Sequence, residues 1–464
     1  MGNLIRFGTD GWRACVGSEF NETNVARVAE ALGRIWEGRN PGSVVYVGFD
    51  SEGPAHEFAQ HAAGSLAAYN LRIKLFELPA PTPALGWTIN QDEQCCGGIM
   101  ITASSRRRET LCLKVRLSDG AISNEDFTKE LEIEIAPQPH GLQDSYEVVR
   151  AVPAYLDSLL QMVDASVIRA AHLRVVHDSM YGASAPYVQQ LLESMGVECI
   201  PIHNPSSLDR EELEPDPVEP WVDECEQVVV ATKASAGFVN DGDGDRVGAV
   251  DEHGRFVSPQ KIVALLMGHL AINKNLAGRV VLSSSSSIQA KRVAQKLGLP
   301  VRITTIGFTQ IHKIVRAGGV LIAGEESGGI CIPAHMTERD GLLVHLLLCE
   351  LMAISGKTLG QLVEELDEHT GKVCYARRDV ESSPARIESL RNVLPGLNPA
   401  DINGLEPVDV SHRDGMWLEF ADESWLLVRI SGTKDIVRVY AEAPTVEKRD
   451  ALLKAGIDIA KGNN

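Results

Sequence analysis

Ala236-Gly237-Phe238-Val239-Asn240-Asp241-Gly242-Asp243-Gly244-Asp245-Arg246-Val247-Gly248-Ala249-Val250 reads as two apolar strands joined by an acidic turn. Asp241, Asp243 and Asp245 stand at every second position, so an extended, glycine-relaxed loop can bring them to one side. Hard oxygen ligands of this kind suit Mg²⁺, which keeps open positions for phosphate oxygens. A solvated acidic turn is the plainer reading. A calcium EF-hand is a third, since Glu252 falls at the twelfth place by coincidence of spacing. Its flanks would have to be helices, and both flanks here read as strands.

Outward from this turn, strand-like runs alternate with helical patterns. Val44–Phe49 reads as a buried strand, His56–Tyr69 as a helix, Leu71–Phe76 and Gly98–Thr102 as further strands. The rhythm restarts at Leu173–His177, Tyr187–Met195 and Glu198–Ile202. It restarts again at Ser258-Pro259, an N-cap and first-turn proline opening a helix to about Ile272. Val280–Leu282 and Ile288–Leu297 continue it. Three such units predict repeated α/β domains with mainly parallel or mixed sheets. After them, Trp417–Phe420, Trp425–Ile430 and Ile436–Ala443 are close-spaced strands followed by a helix from Val446, an α+β tail. Boundaries near Leu142, Glu252 and Thr370 give domains 1–142, 143–252, 253–370 and 371–464. The serine run Ser283–Ser287 is expected to cap the following helix, with phosphate contact as the minority reading.

The totals agree with a multidomain globular chain: 464 residues, 44% hydrophobic and 23% charged. A formal net charge of −19 argues against nonspecific nucleic-acid or anionic-membrane binding. Nine cysteines, an odd set without metal-type spacing, fit reduced thiols and a cytoplasmic location. The most apolar stretch, Gly341–Ile354, is too short to span a bilayer.

Three more loops carry chemistry. Thr102-Ala103-Ser104-Ser105-Arg106-Arg107-Arg108 ends a strand on two serines and three arginines. A serine there, under positive potential and facing a metal, is suited to carry phosphate. Leu111–Ser118 alternates, with Cys112, Lys114 and Arg116 on one face. Lys114 reads either as solvent-facing or as an acid/base partner of Ser104. Gly324-Glu325-Glu326-Ser327-Gly328-Gly329 can bind vicinal sugar hydroxyls. Arg429-Ile430-Ser431-Gly432-Thr433-Lys434 offers a guanidinium, hydroxyls and backbone N–H groups, the parts of a phosphate cradle.

The four loops together resemble those of the α-D-phosphohexomutases, in order and spacing, over essentially the whole chain. Phe7-Gly8-Thr9-Asp10-Gly11-Trp12-Arg13 is similar to that family's N-terminal motif. The resemblance implies three similar mixed-sheet α/β domains plus a smaller C-terminal domain around a central cleft. It implies phosphate on Ser104, with Lys114 as acid/base and Arg13 entering the site. It implies Mg²⁺ on Ser104, Asp241, Asp243 and Asp245. Arg246, Gly307, Glu325 and Ser327 would meet the sugar phosphate, and Arg429, Ser431, Gly432 and Thr433 its distal phosphate. The implied reaction moves a phosphoryl group between the 1- and 6-positions of glucose or mannose phosphate through a hexose 1,6-bisphosphate. The expected assembly is a monomer or homodimer.

This chain departs from the family pattern in four places. Ser104-Ser105-Arg106-Arg107 replaces the usual Ser-His-Asn-Pro, Thr309 stands where lysine is common, Lys434 replaces a glutamate, and Asp50-Ser51-Glu52 lacks an arginine. Phosphoglucosamine mutase, or a noncatalytic sugar-phosphate-binding relative, are the alternatives.

Overall fold

The computed structural model describes residues 5–104, 109–143, 145–206, 213–432 and 436–462. The departing residues Ser105, Arg106, Arg107, Arg108 and Lys434, and the expected phosphate ligand Thr433, lie outside the described residues.

Four sheets follow one another along the chain. The first is built from β1 (Trp12–Cys15), β2 (Val44–Phe49), β3 (Arg72–Phe76), β4 (Cys95–Thr102), β5 (Thr110–Leu117) and β6 (Glu147–Val149), in the order β1-β5-β4-β2-β3-β6. The second contains β7 (Arg174–Asp178), β8 (Glu198–Ile202), β9 (Ala236–Asn240), β10 (Val247–Asp251) and β11 (Phe256–Val257), in the order β11-β10-β9-β7-β8. The third contains β12 (Arg279–Ser283), β13 (Val301–Thr304), β14 (Val320–Gly324) and β15 (Ile330–Cys331), in the order β13-β12-β14-β15. The last contains β16 (Cys374–Glu381), β17 (Pro407–Ser411), β18 (Met416–Phe420), β19 (Trp425–Ile430) and β20 (Ile436–Ala443), in the order β16-β20-β19-β18-β17. β6 and β11 carry the first two sheets past Leu142 and Glu252, the positions where the sequence suggested boundaries.

The first three sheets share one plan. Parallel strands, buried on both faces as in Val44–Phe49, end at an antiparallel neighbour: β4 with β5, β9 with β10, β14 with β15. Helices cover such parallel sheets, which is why their strands read as continuous apolar runs. Each of these three antiparallel turns holds one chemical loop of the sequence. The fourth sheet is wholly antiparallel.

The apolar stretch near residue 341 is a core helix, Gly341–Ser355, capped by Asp340, whose side chain accepts from Leu343 N. Leu342, Leu343, Leu346, Leu347 and Leu348 are all buried there, each burial worth about 1.5–3 kcal/mol. The helix packs on β9 and β10, so a third-domain element holds the second sheet in place. Its Gly341 N–H donates to Gly244 O at 3.2 Å, inside the acidic turn. Among the described residues no single helix is long and apolar enough to cross a membrane. The helix opened by Ser258-Pro259 runs regularly to Gly268 and continues as a π-helical turn over His269–Asn273. All nine cysteines are free.

Candidate active site

Ser104 is the second residue after β4, with φ +53° and its side chain buried. A left-handed conformation costs a non-glycine residue about 1–3 kcal/mol and needs neighbours that enforce it. Here the Ser104 N–H donates to Thr102 Oγ1 (2.7 Å), and Arg13 donates from Nη1 to Ala103 O (2.7 Å). Asp50 accepts from Thr102 Oγ1 (2.6 Å) and Ala103 N (2.8 Å). Burial pushes the Asp50 carboxyl up to about 7. Gly242 lies directly against this turn. A Cβ on Gly242 would stand 2.4 Å from Ser104 O, so only glycine lets the acidic loop touch the serine loop.

The polar face of β5 turns inward. Lys114 is 0% exposed, which settles against the solvent-facing reading. Its Nζ lies 3.2 Å from Ser104 Oγ, 2.7 Å from Asp243 Oδ2, 2.9 Å from Asp10 Oδ2 and 3.3 Å from Asp245 Oδ2. Burial opposes its charge, but Asp10, Asp243 and Asp245 outweigh burial and hold its pKa above the ordinary lysine value. A lysine so held supplies charge and a donated hydrogen bond rather than a free base.

The three aspartates converge, with one oxygen of each within 4.8 Å of the others. Each carboxylate is divided between two tasks. Asp241 Oδ1 accepts from Arg246 N (3.0 Å), Asp243 Oδ2 from Lys114 and Thr82 Oγ1, and Asp245 Oδ2 pairs with Arg339 Nη2 (2.9 Å) and Lys114. The remaining oxygens, Asp241 Oδ2, Asp243 Oδ1 and Asp245 Oδ1, are buried without a hydrogen-bond partner among the described residues. Buried carboxylate oxygens left this way are costly unless a cation meets them. Three hard, convergent oxygens fit Mg²⁺. Burial and its two neighbours push Asp241 well up, while Lys114, acting against burial, holds Asp243 at about 2.

Around this centre runs a charge network that sequence reasoning missed. Arg339 pairs with Asp10 (3.0 Å) and Asp245, lies over the Phe308 ring, and contacts Glu338 at 3.3 Å. Glu338 in turn holds Arg116 (2.5 Å) and accepts from Ile122 N. The signals available were thin: Asp10 stands inside the quoted N-terminal motif, and Arg339-Asp340 sits just before the apolar helix.

The Gly324–Gly329 loop adjoins the acidic loop through the backbone. Arg246 bridges Gly329, and Val247 N donates to Gly328 O at 3.0 Å. The Arg246 side chain faces Asp216 (3.5 Å) and Asp241 (3.8 Å). Glu325 is buried, accepts from Gly307 N at 3.0 Å, and is pushed up to about 7 by burial. Ser327 is half-buried beside it.

Arg429, Ser431 and Gly432 belong to the fourth domain, and Arg429 pairs with Asp414 at 3.3 Å. The serine run does more than cap. Ser287 caps the helix Ile288–Lys296, but Ser284 donates to Asp414 (2.7 Å), Ser285 to Glu326 (2.7 Å) and Ser287 to Glu442. It is the third domain's side of the seam with the fourth.

Models of the phosphoglucomutase/phosphomannomutase domains match in order: α/β/α domain I at residues 4–139, II at 153–254, III at 258–369 and the C-terminal domain at 376–458. The phosphoglucomutase/phosphomannomutase of Thermococcus kodakarensis is 27% identical over 99% of this chain and 98% of its own. The phosphoglucosamine mutase of Frankia alni is also 27% identical, over 95% and 94%. A crystal structure from Thermus thermophilus, described as a phosphomannomutase, superposes with a TM-score of 0.89 at 30% identity, covering 100% of both chains.

Proposed function

The chain belongs to the phosphoglucomutase/phosphomannomutase family of phosphohexomutases, and we propose that it moves a phosphoryl group between the 1- and 6-positions of glucose or mannose phosphate. The observation that carries this reading is Lys114, which joins Ser104 Oγ to two aspartates of a triad whose convergent outer oxygens make no hydrogen bond among the described residues.

In this reading Ser104 carries the phosphoryl group at rest. The free hydroxyl oxygen of the sugar forms the new bond to phosphorus as the Ser104 Oγ–phosphorus bond breaks, and the hydroxyl's proton is balanced by one gained at Ser104 Oγ, giving a hexose 1,6-bisphosphate and a free serine. Turned over in the cleft, the bisphosphate returns its other phosphoryl group to Ser104. Transfer of this kind needs chiefly positioning and neutralisation of charge. Mg²⁺, held by Asp241, Asp243, Asp245 and the Ser104 phosphate, would supply the divalent charge. Lys114 hydrogen-bonds the departing Ser104 oxygen, and Arg13 keeps the turn in its left-handed shape. Arg246 faces the transferring group. Glu325 and Ser327, with Gly307 fixing Glu325, hold the sugar hydroxyls in either orientation. Arg429, Ser431, Gly432 and Thr433 hold the phosphate that does not react.

A relative named for glucosamine phosphate matches at the same identity as one named for glucose and mannose phosphates, and this favours glucosamine phosphate as the second substrate to try. Glu325-Glu326-Ser327-Gly328-Gly329 favours glucose and mannose. Coupled assays with glucose 1-phosphate, mannose 1-phosphate and glucosamine 6-phosphate test the reading directly. Turnover of the first two, activated by a hexose 1,6-bisphosphate, is expected. Binding without turnover of any of the three marks a noncatalytic relative.

A further inference from the structure

The turn between β17 and β18 is pressed onto β19. Gly415 has φ +99°, and a Cβ there would lie 2.3 Å from Val428 O and 2.9 Å from Arg429 Cα. Only glycine permits this approach. It places the neighbouring Asp414, 11% exposed at its side chain, with Oδ1 at 3.3 Å from Arg429 Nε. That contact is an ion pair without a hydrogen bond: Arg429 Nε is buried and keeps its donor unspent among the described residues.

The other oxygen of the same carboxylate crosses the seam. Asp414 Oδ2 accepts from Ser284 Oγ and from Ile306 N, both at 2.7 Å. Ile306 precedes Gly307, whose N–H holds Glu325. One carboxylate therefore joins the guanidinium of the fourth domain to the loop that orients the sugar-facing glutamate of the third. As a turn residue Asp414 would be expected to bond within its own hairpin. Among the described residues its side-chain hydrogen bonds both leave the domain instead.

A second carboxylate makes a seam without a guanidinium. Glu442 accepts from Ser287 Oγ, from Ile288 N (2.9 Å) and from Trp425 Nε1 (2.8 Å). It binds the two domains together, and its hydrogen bonds among the described residues go to Ser287, Ile288 and Trp425 rather than to the phosphate cradle, so it serves as an internal control.

We propose that Asp414 is a positioning residue that sets the Arg429 guanidinium for the distal phosphate of the sugar and ties that grip to the docking of the fourth domain on the third. The inference rests on the reading of Arg429 as a phosphate ligand. An anion at Arg429 and the closed seam then favour one another, and the coupling is reciprocal. A charged, half-buried pair fixes direction better than a neutral one, and loss of one charge-assisted interaction weakens binding roughly tenfold.

The test compares Asp414→Asn, Glu442→Gln, Arg429→Ala and the double variant Asp414→Asn/Arg429→Ala. The readouts are KM and kcat for a hexose 1-phosphate and inhibition by inorganic phosphate. Asp414→Asn should raise KM and the phosphate inhibition constant about tenfold with kcat within about twofold. Glu442→Gln should lower the melting temperature without that selective rise, and Asp414→Asn should add nothing once Arg429 is alanine. Ser284→Ala, which leaves Asp414 in place but removes one of its anchors, should raise KM in the same direction by less, so the question survives a poorly folding Asp414 variant. An unchanged KM in Asp414→Asn, or an equal further loss in the Arg429→Ala background, overturns the positioning role while leaving Arg429 a ligand. An unchanged KM in Arg429→Ala overturns the phosphate reading itself and this inference with it.

Discussion

The β9–β10 turn and the β19–β20 turn both handle phosphate in this account, and they are built in opposite ways. In the first, Asp241, Asp243 and Asp245 are buried, and each has one oxygen fixed by a protein group and one left for a cation. In the second, Arg429 is part-exposed, and its carboxylate partner Asp414 is anchored by another domain. The chemical half of the site is set within the closely joined first three domains. The binding half depends on a seam. Losses in the first region should therefore fall on kcat and metal affinity, and losses in the second on KM.

The largest effect is expected at the triad. Asp243→Asn keeps the volume but removes a cation ligand and the partner of Lys114, and kcat should drop by about 10²–10³. Calorimetric titration of the variant with Mg²⁺ should show weakened binding, whereas normal Mg²⁺ affinity would reduce the loop to a turn. Next is Arg339→Met, which leaves Asp245 and Asp10 to Lys114 and Glu338 to Arg116. Removing one partner of a buried ionic set costs about 3–5 kcal/mol, and chemical denaturation should register it. A variant as stable as the wild type would show that the network is not held together by this guanidinium. Arg429→Ala, in the seam-dependent half, should cost about 1.5–3 kcal/mol of substrate binding, seen in KM with kcat nearly kept.

A smaller effect concerns pH. Burial holds Glu325 near 7, above its ordinary 4.5. The folded state therefore keeps the proton longer than the unfolded chain does, so this group's contribution to stability declines as pH rises from the ordinary value toward 7. If sugar hydroxyls bind the ionised form, kcat/KM should rise with pH through about 7. Glu325→Gln should flatten that limb, and a limb that persists in the variant would assign it to another group.

What was legible in the sequence followed from locality. The Asp241–Asp245 triad lies within five consecutive residues, and β2, β8, β19 and β20 have the limits their apolar runs suggested. The charge network was not legible, because Asp10, Lys114 and Arg339 come from separate stretches and meet only when the sheets pack. Nothing near Lys114 in the letters says that the polar face of β5 turns inward. The anchoring of Asp414 is equally nonlocal, since Ser284 and Ile306 lie more than a hundred residues upstream. In sequence the serine run reads as a helix cap. Ser287 is one, while Ser284 and Ser285 serve contacts that no local pattern encodes.

The central claim is that Ser104 gives and receives the phosphoryl group. Freshly purified wild-type protein, and the same protein after incubation with a hexose 1,6-bisphosphate and Mg²⁺, can be digested and the phosphopeptide located by mass spectrometry, with Ser104→Ala alongside. One phosphoryl group is expected on Ser104, restored by the bisphosphate, discharged by a hexose monophosphate, and absent together with mutase activity in Ser104→Ala. Phosphate on Ser105, or full turnover by Ser104→Ala, would contradict it.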